Sequence, residues 1–195
     1  TIIRTVTVVD TKPPIITIIG DNTINHQRGT NYIDSGATAA DTTGEGLTID
    51  IDVSTNLILN VIGNYQYIYS VSDAYNNIGY ATRTIVVYDD IPPTLTLTGD
   101  SIITHERGIE FIDPGATASD LNGTEDLTNE IIITTDLCFN VVGTYSITYD
   151  VSDAGNNFAP SVTRTVIIED TAAPIMTLNG DKNIILYKGN DYIEL

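Results

Sequence analysis

The chain of 195 residues reads as an all-β protein built from antiparallel two-layer sandwiches set in tandem. Three observations lead there. The sequence repeats itself at a period of roughly eighty residues, its apolar residues alternate with period two, and clusters of Gly, Pro, Asn and Asp punctuate the alternating runs. No capped apolar stripe of helical period is found, so very little helix is expected.

The repeat is visible from end to end. "PPIITIIGD" from Pro13 returns as "PPTLTLTGD" from Pro92 and as "APIMTLNGD" from Ala173, at offsets of 79 and 81 residues. "YIDSGATAAD" from Tyr32 pairs with "FIDPGATASD" from Phe111, and "VIGNYQYIYSVSDA" from Val61 pairs with "VVGTYSITYDVSDA" from Val141. "TRTIVVYDD" from Thr82 pairs with "TRTVIIEDT" from Thr163, and "IRTVTVVDT" from Ile3 is a third copy. The division that follows is a closing strand of a preceding module (1–10), two complete modules (11–90 and 91–171) and the opening strands of a further module (172–195). The offset slips once between Asp120 and Leu127 and once between Ala154 and Thr163, in stretches rich in turn formers. Insertions are tolerated where backbone is exposed rather than paired, so both stretches are expected to be loops.

Within each module the strands follow from side-chain parity. Tyr65, Tyr67, Tyr69 and Val71 fall on one face of an extended segment, as do Tyr145, Ile147, Tyr149 and Val151 in the second copy. The same parity turns Ile16, Ile18, Leu95, Leu97, Ile85 and Val87 inward and Thr17, Thr96 and Thr84 outward. β-Branched and aromatic residues dominate these runs, and about seven short strands per module are expected.

Composition limits the partners. There are 26 acidic and 8 basic residues, for a formal net charge of −18. A field of that sign repels phosphate backbones and anionic lipid surfaces, so neither nucleic-acid binding nor direct membrane insertion is expected, and cations become the natural companions. The one cysteine, Cys138, forms no internal disulfide, and it is expected to be a small buried apolar residue. No apolar run approaches the roughly 20 residues of a membrane span. The chain starts at Thr1 with no leader pattern, so any targeting segment is expected to lie outside it.

The motifs "GD…RG…YIDSGATA-D", "VxGxY…Y-VSDAxNN" and the closing "TRTxxVxD" resemble the tandem immunoglobulin-like repeats of microbial surface proteins, a group related to the hyalin repeat. The resemblance covers nearly the whole chain. It implies an immunoglobulin-like sandwich, an extracellular, cell-surface or virion-surface location, and a stalk or spacer role with no catalytic residues to transfer. Where the group's commoner loop wording is D-N-x-D-G-D-L-T, this sequence has "DTTGEGLT" and "DLNGTEDLT".

In such a sandwich the start of the first strand, the B–C loop and the F–G loop share one pole. Asp10, Asp41 and Asp73 are therefore expected to meet where the first module joins its predecessor. Asp89, Asp120 and Asp153 are expected to meet where the second joins the first, with Asp90, Glu125 and Asp126 nearby. Two readings of these aspartates stand side by side. Gathered carboxylates repel one another unless a hard cation neutralises them, which points to inter-module calcium. Alternatively each aspartate does local work, as an Asx turn holding the "DAxNN" hairpin and as part of a solvated acidic linker. No other cofactor is required. Pro13–Pro14 and Pro92–Pro93 hold their own φ and that of the preceding residue extended, which predicts short, semi-rigid connectors.

Other reactive groups read as structural. His26 and His105 occupy equivalent places in "HQRG" and "HERG", but the third copy has Leu186 there and no second ligand stands at metal spacing. Both are expected to be surface or half-buried strand residues. No nucleophile lies beside a base and no carboxylate pair spans a cleft, so an enzyme is not expected. The lysines are Lys12, Lys182 and Lys188, with none in the second module, so a Lys–Asn crosslink cannot be general. Asn122-Gly123-Thr124 is a glycosylation sequon on an expected loop. Tyr75 and Tyr80 flank the first F–G turn, where the second copy has Gly155 and Ser161.

Two functions remain. One is a structural stalk, spacer or fibre segment whose partners are neighbouring modules, or copies of itself in a filament through strand addition by residues 1–10. The other is an adhesin whose loops or exposed sheet recognise carbohydrate or protein.

Overall fold

In the computed structural model, which describes residues 2–41, 47, 50–121, 124–191 and 193, the alternating runs form thirteen strands. In the first repeat these are β1 (Ile15–Ile18), β2 (Thr23–Gln27), β3 (Ala37–Ala40), β4 (Asp52–Thr55), β5 (Gly63–Ser72) and β6 (Ile78–Tyr88). In the second they are β7 (Thr94–Leu97), β8 (Ile102–Glu106), β9 (Ala116–Asp120), β10 (Glu125–Asp126), β11 (Ile132–Thr135), β12 (Gly143–Asp150) and β13 (Val162–Glu169). A 3₁₀ turn spans Thr128–Glu130, and no α-helix occurs among the described residues.

Each repeat is two layers. One layer is a four-stranded sheet, β2-β6-β5-β4 or β11-β12-β13-β8, and the other is narrow, β1-β3 or β10-β9-β7. The narrow layer has a local cause. Only residues 56–62 separate β4 from β5, and they hold no strand, so the facing sheet gains nothing from that crossing.

Most strand pairings are antiparallel, and each four-stranded sheet also takes one parallel strand at its edge. β2 runs parallel to β6 (Ile24 opposite Ile85) and β8 runs parallel to β13 (Ile103 opposite Val166). The chain leaves the narrow sheet after β1 or β7 and crosses to the edge of the other layer, arriving beside the last strand in the same direction. The crossing turns at Gly20 and Gly99, whose φ values of 85° and 78° suit a residue without Cβ. Alternation along one strand fixes which side chains face inward but not which edge the strand joins.

The inward parity is as read. Tyr69 and Ile85 are fully buried, as are Tyr149, Val166 and Ile168, while Thr17 and Thr96 face solvent. The apolar clusters stay within a repeat: Tyr65, Ile85 and Val87 gather Ile24, Tyr32 and Leu57, whereas Ile147, Tyr149, Val166 and Ile168 gather Leu95, Leu97 and Phe111. Residues 2–9 and 172–191 lie exposed outside the sheets.

Each core also holds an ion pair. Arg83, on the same face of β6 as Ile85 and Val87, is 1% exposed and donates to Asp34, which also accepts from the Tyr69 hydroxyl at 2.6 Å. In the second repeat Arg164 is fully buried and donates to Asp113 at 2.6 Å and to the carbonyls of Thr98 and Gly115 at 2.7 and 3.0 Å. Tyr149 completes it by donating to Asp113 at 2.5 Å. Each guanidinium lies over its tyrosine ring at 5.9 Å. The pair fastens the strand-crossing turn to the four-stranded sheet.

His26 and His105 are half-buried strand residues, each with a ring nitrogen 3.1 Å from a backbone carbonyl oxygen, of Thr30 and Ile109 respectively. Cys138 is a correction: it is exposed, because Leu137 and Phe139 take the inward positions of the turn before β12 and leave the residue between them facing out. The sequon at Asn122 lies outside the described residues.

Candidate metal centre

The repeated turn text has a concrete local task. Asp73 closes the β5–β6 hairpin by accepting the backbone N–H groups of Tyr75 and Asn77, both at 2.8 Å, on one oxygen. Its other oxygen accepts the Asn77 side-chain amide at 2.7 Å. Asn76 adopts φ 64°, the left-handed region that asparagine tolerates. The β12–β13 hairpin repeats this with Asp153, Asn156 at φ 63°, and Asn157. The last asparagine also ties hairpin to linker: Asn77 donates to the Asp10 carbonyl at 3.4 Å and Asn157 to the Asp89 carbonyl at 3.1 Å.

The linker aspartates make Asx turns of their own. Asp10 accepts the Lys12 N–H at 2.9 Å and Asp89 the Ile91 N–H at 3.2 Å, just before the proline pairs. The third member of each group stands at a strand end, Asp41 after β3 and Asp120 closing β9.

These local arrangements bring the carboxylates together. One oxygen each from Asp10, Asp41 and Asp73 lie within 4.8 Å of one another, and so do oxygens of Asp89, Asp120 and Asp153. Two oxygens bound to one calcium ion at roughly 2.4 Å are at most about 4.8 Å apart, so each donor set fits around a single hard cation. The second group is also shielded from water, with Asp89, Asp120 and Asp153 exposed by 9, 5 and 8%.

Electrostatics separates the members. Burial works to raise the Asp73 carboxyl, but the Asn77 and Tyr75 donors prevail and hold it below the usual carboxylate range. Asp120 moves the other way. Burial and the charges of Asp89 and Asp153 push it above its ordinary value, against the Leu121 backbone N–H and Arg28.

Arg28 is the residue that sequence reading missed. It follows β2 in the first repeat, yet its guanidinium reaches Asp89 at 3.2 Å, Asp120 at 3.4 Å and Glu125 at 2.7 Å, while its Nε donates to the Asn60 carbonyl at 2.8 Å. Its side chain is 7% exposed. Burial disfavours its charge, but Asp89 and Glu125 outweigh that and hold it above the ordinary arginine value. Four carboxylates against one guanidinium still leave the junction strongly negative. Beside Asp89, the buried Oε1 of Gln27 is an acceptor with no partner among the described residues.

Repeated sandwiches with a sheet-crossing first strand and a polar pole define an immunoglobulin-like repeat protein. Residues 16–87 and 95–168 each match the bacterial surface protein Ig-like domain, and the chain belongs to that family. Over 190 residues it is 31% identical to an 81.3 kDa protein of Acholeplasma phage L2, covering 89% of this chain and 24% of that protein. It is 29% identical over 186 residues to hyalin of Strongylocentrotus purpuratus, covering 89% of this chain and 15% of hyalin. The chain thus spans less than a quarter of the length of either relative. Among solved structures, a lipoprotein of Bacteroides thetaiotaomicron matches with 33% identity and a TM-score of 0.37, over 42% of this chain and 40% of that one.

Proposed function

We propose that the chain is a non-catalytic spacer segment of a cell-surface or virion-surface protein, whose module junctions are stiffened by buried charge and by calcium. One observation carries this: the linker aspartate Asp89 and the strand-end and hairpin aspartates of the second module close on one point, and Arg28 of the first module enters the same point. A linker that only tethered two modules would not bury three carboxylates and a guanidinium in the seam, with a fourth carboxylate, Glu125, half-buried beside them. Such burial is unfavourable unless the partners hold a fixed geometry.

Calcium suits what remains. The donors are hard oxygens, their spacing admits one ion, and the repulsion of Asp120 by Asp89 and Asp153 is offset only in part by Arg28. Residues Asp10, Asp41 and Asp73 would hold one ion and Asp89, Asp120 and Asp153 another, each ion drawing linker, strand end and hairpin together. Extracellular modules of this kind bind calcium at roughly 10⁻⁴ to 10⁻³ M, so millimolar calcium stabilises by on the order of 1 kcal/mol per site.

Thermal unfolding with calcium and then with excess chelator tests the metal. A midpoint that stays put rejects it. A glycan array probed with the chain tests the role: blank spots support a spacer, and saturable binding to one sugar class supports an adhesin instead.

A further inference from the structure

We infer that the Arg-Gly turn following the second strand of each module is a socket for the acidic strand-end loop of the next module, seen filled at Arg28–Gly29 and open at Arg107–Gly108. The two turns are built alike. Arg28 N–H donates to the Tyr88 carbonyl at 2.8 Å and Arg107 N–H to the Glu169 carbonyl at 2.7 Å. Gly29 N–H donates to Leu59 at 2.9 Å and Gly108 N–H to Phe139 at 2.8 Å. Each arginine pairs with the linker aspartate of its own junction at 3.2 Å, Arg28 with Asp89 and Arg107 with Asp170.

What differs is the occupant. Arg28 also holds Asp120 and Glu125 of the next module and is 7% exposed, whereas Arg107 is 50% exposed. A Cβ on Gly29 would stand 2.9 Å from Leu121 of the next module, while nothing lies within 4 Å of the same point on Gly108. Both glycines have positive φ, 74° and 79°, so the socket floor is shaped before anything docks. The partner that fits is therefore another Ig-like module presenting an Asp-Leu pair at the end of its third strand, as Asp120–Leu121 does. The copy of the motif at Lys188–Gly189 keeps a cation at that place. This inference concerns how modules join and holds whether the array spaces or binds.

The test uses the two-module chain and a three-module chain in which residue 171 is followed by a second copy of residues 91–171. Backbone ¹⁵N relaxation in excess chelator, which removes any calcium at the junctions, reports whether modules tumble together. Arg28→Ala should abolish common tumbling of the first pair in both chains. Arg107→Ala should leave the two-module chain unchanged and release only the added module in the longer one. Arg28→Lys should restore coupling in part, since an ammonium lacks the fork that serves three carboxylates. Each module's amide spectrum, compared with the parent's, verifies that the variants fold. Common tumbling of all three modules in Arg107→Ala would overturn the socket, as would unaltered coupling in Arg28→Ala. The spacer reading would survive either result if the glycan array stayed blank.

Discussion

Arg28 Nη2 and Glu125 Oε2 meet at 2.7 Å across 97 residues of sequence and across the seam between two modules. With Asp89 and Asp120 on the same guanidinium, the seam is held by a cation that the chain itself supplies. Removing one partner of a buried pair leaves the others uncompensated, and that typically costs about 3 kcal/mol or more. Arg28→Ala is therefore expected to lower the urea midpoints of both modules, since Asp120 and Glu125 lie in the second and Asp89 in the first.

Calcium and Arg28 draw on the same carboxylates, since Arg28 donates to Asp89 and Asp120. The Arg28→Ala chain is expected to gain more from calcium than the parent does, because the guanidinium no longer repels the ion. Isothermal titration with calcium chloride measures this. An affinity that falls on substitution would mean that arginine organises the cation site rather than competing for it.

Within each core the Arg–Asp–Tyr set acts as a rivet. Asp113→Ala would leave Arg164, fully buried, without its carboxylate, and a loss of about 3–5 kcal/mol is expected. Tyr149→Phe removes one donor to Asp113 and is expected to cost about 1–3 kcal/mol. Denaturant unfolding of the variants checks the order of these effects.

The pH response has two opposed parts. Burial raises Asp34, but Tyr69, the Gly36 N–H and Arg83 win and place its folded-state pKa below the unfolded value of 3.8. Its stabilisation is complete above that value and disappears as pH falls through the folded pKa. Asp120 has a folded-state pKa above 3.8, so its contribution is present below that value and lost as pH rises through the folded pKa. In chelator, Asp120→Asn should therefore flatten the decline of second-module stability on the alkaline side of 3.8, while acid unfolding persists. Urea midpoints across pH 2–8 provide the comparison.

Much of the fold was legible because its signals are local. Parity along β5 and β12 gave the buried faces, and repeated turn chemistry gave the hairpins. The meeting of Asp89, Asp120 and Asp153 followed from the order of strands in a sandwich. Arg28 was hidden for a physical reason: its partners belong to the next repeat, and aligning repeats compares equivalent positions without showing which of them touch. Arg83 and Arg164 were within reach, since each shares parity with two inward residues, but a charged residue at an inward place asks for a partner, and Asp34 and Asp113 lie 49 and 51 residues away. The parallel edge strands were not legible, because alternation is blind to strand direction.

If buried charge fixes successive modules end to end, the two modules scatter as one rigid body, and small-angle X-ray scattering of the whole chain in millimolar calcium measures this. A single fixed arrangement of the two modules is expected to reproduce the distance distribution, which broadens in Arg28→Ala with chelator. A parent chain that already requires a wide ensemble of inter-module angles would contradict it.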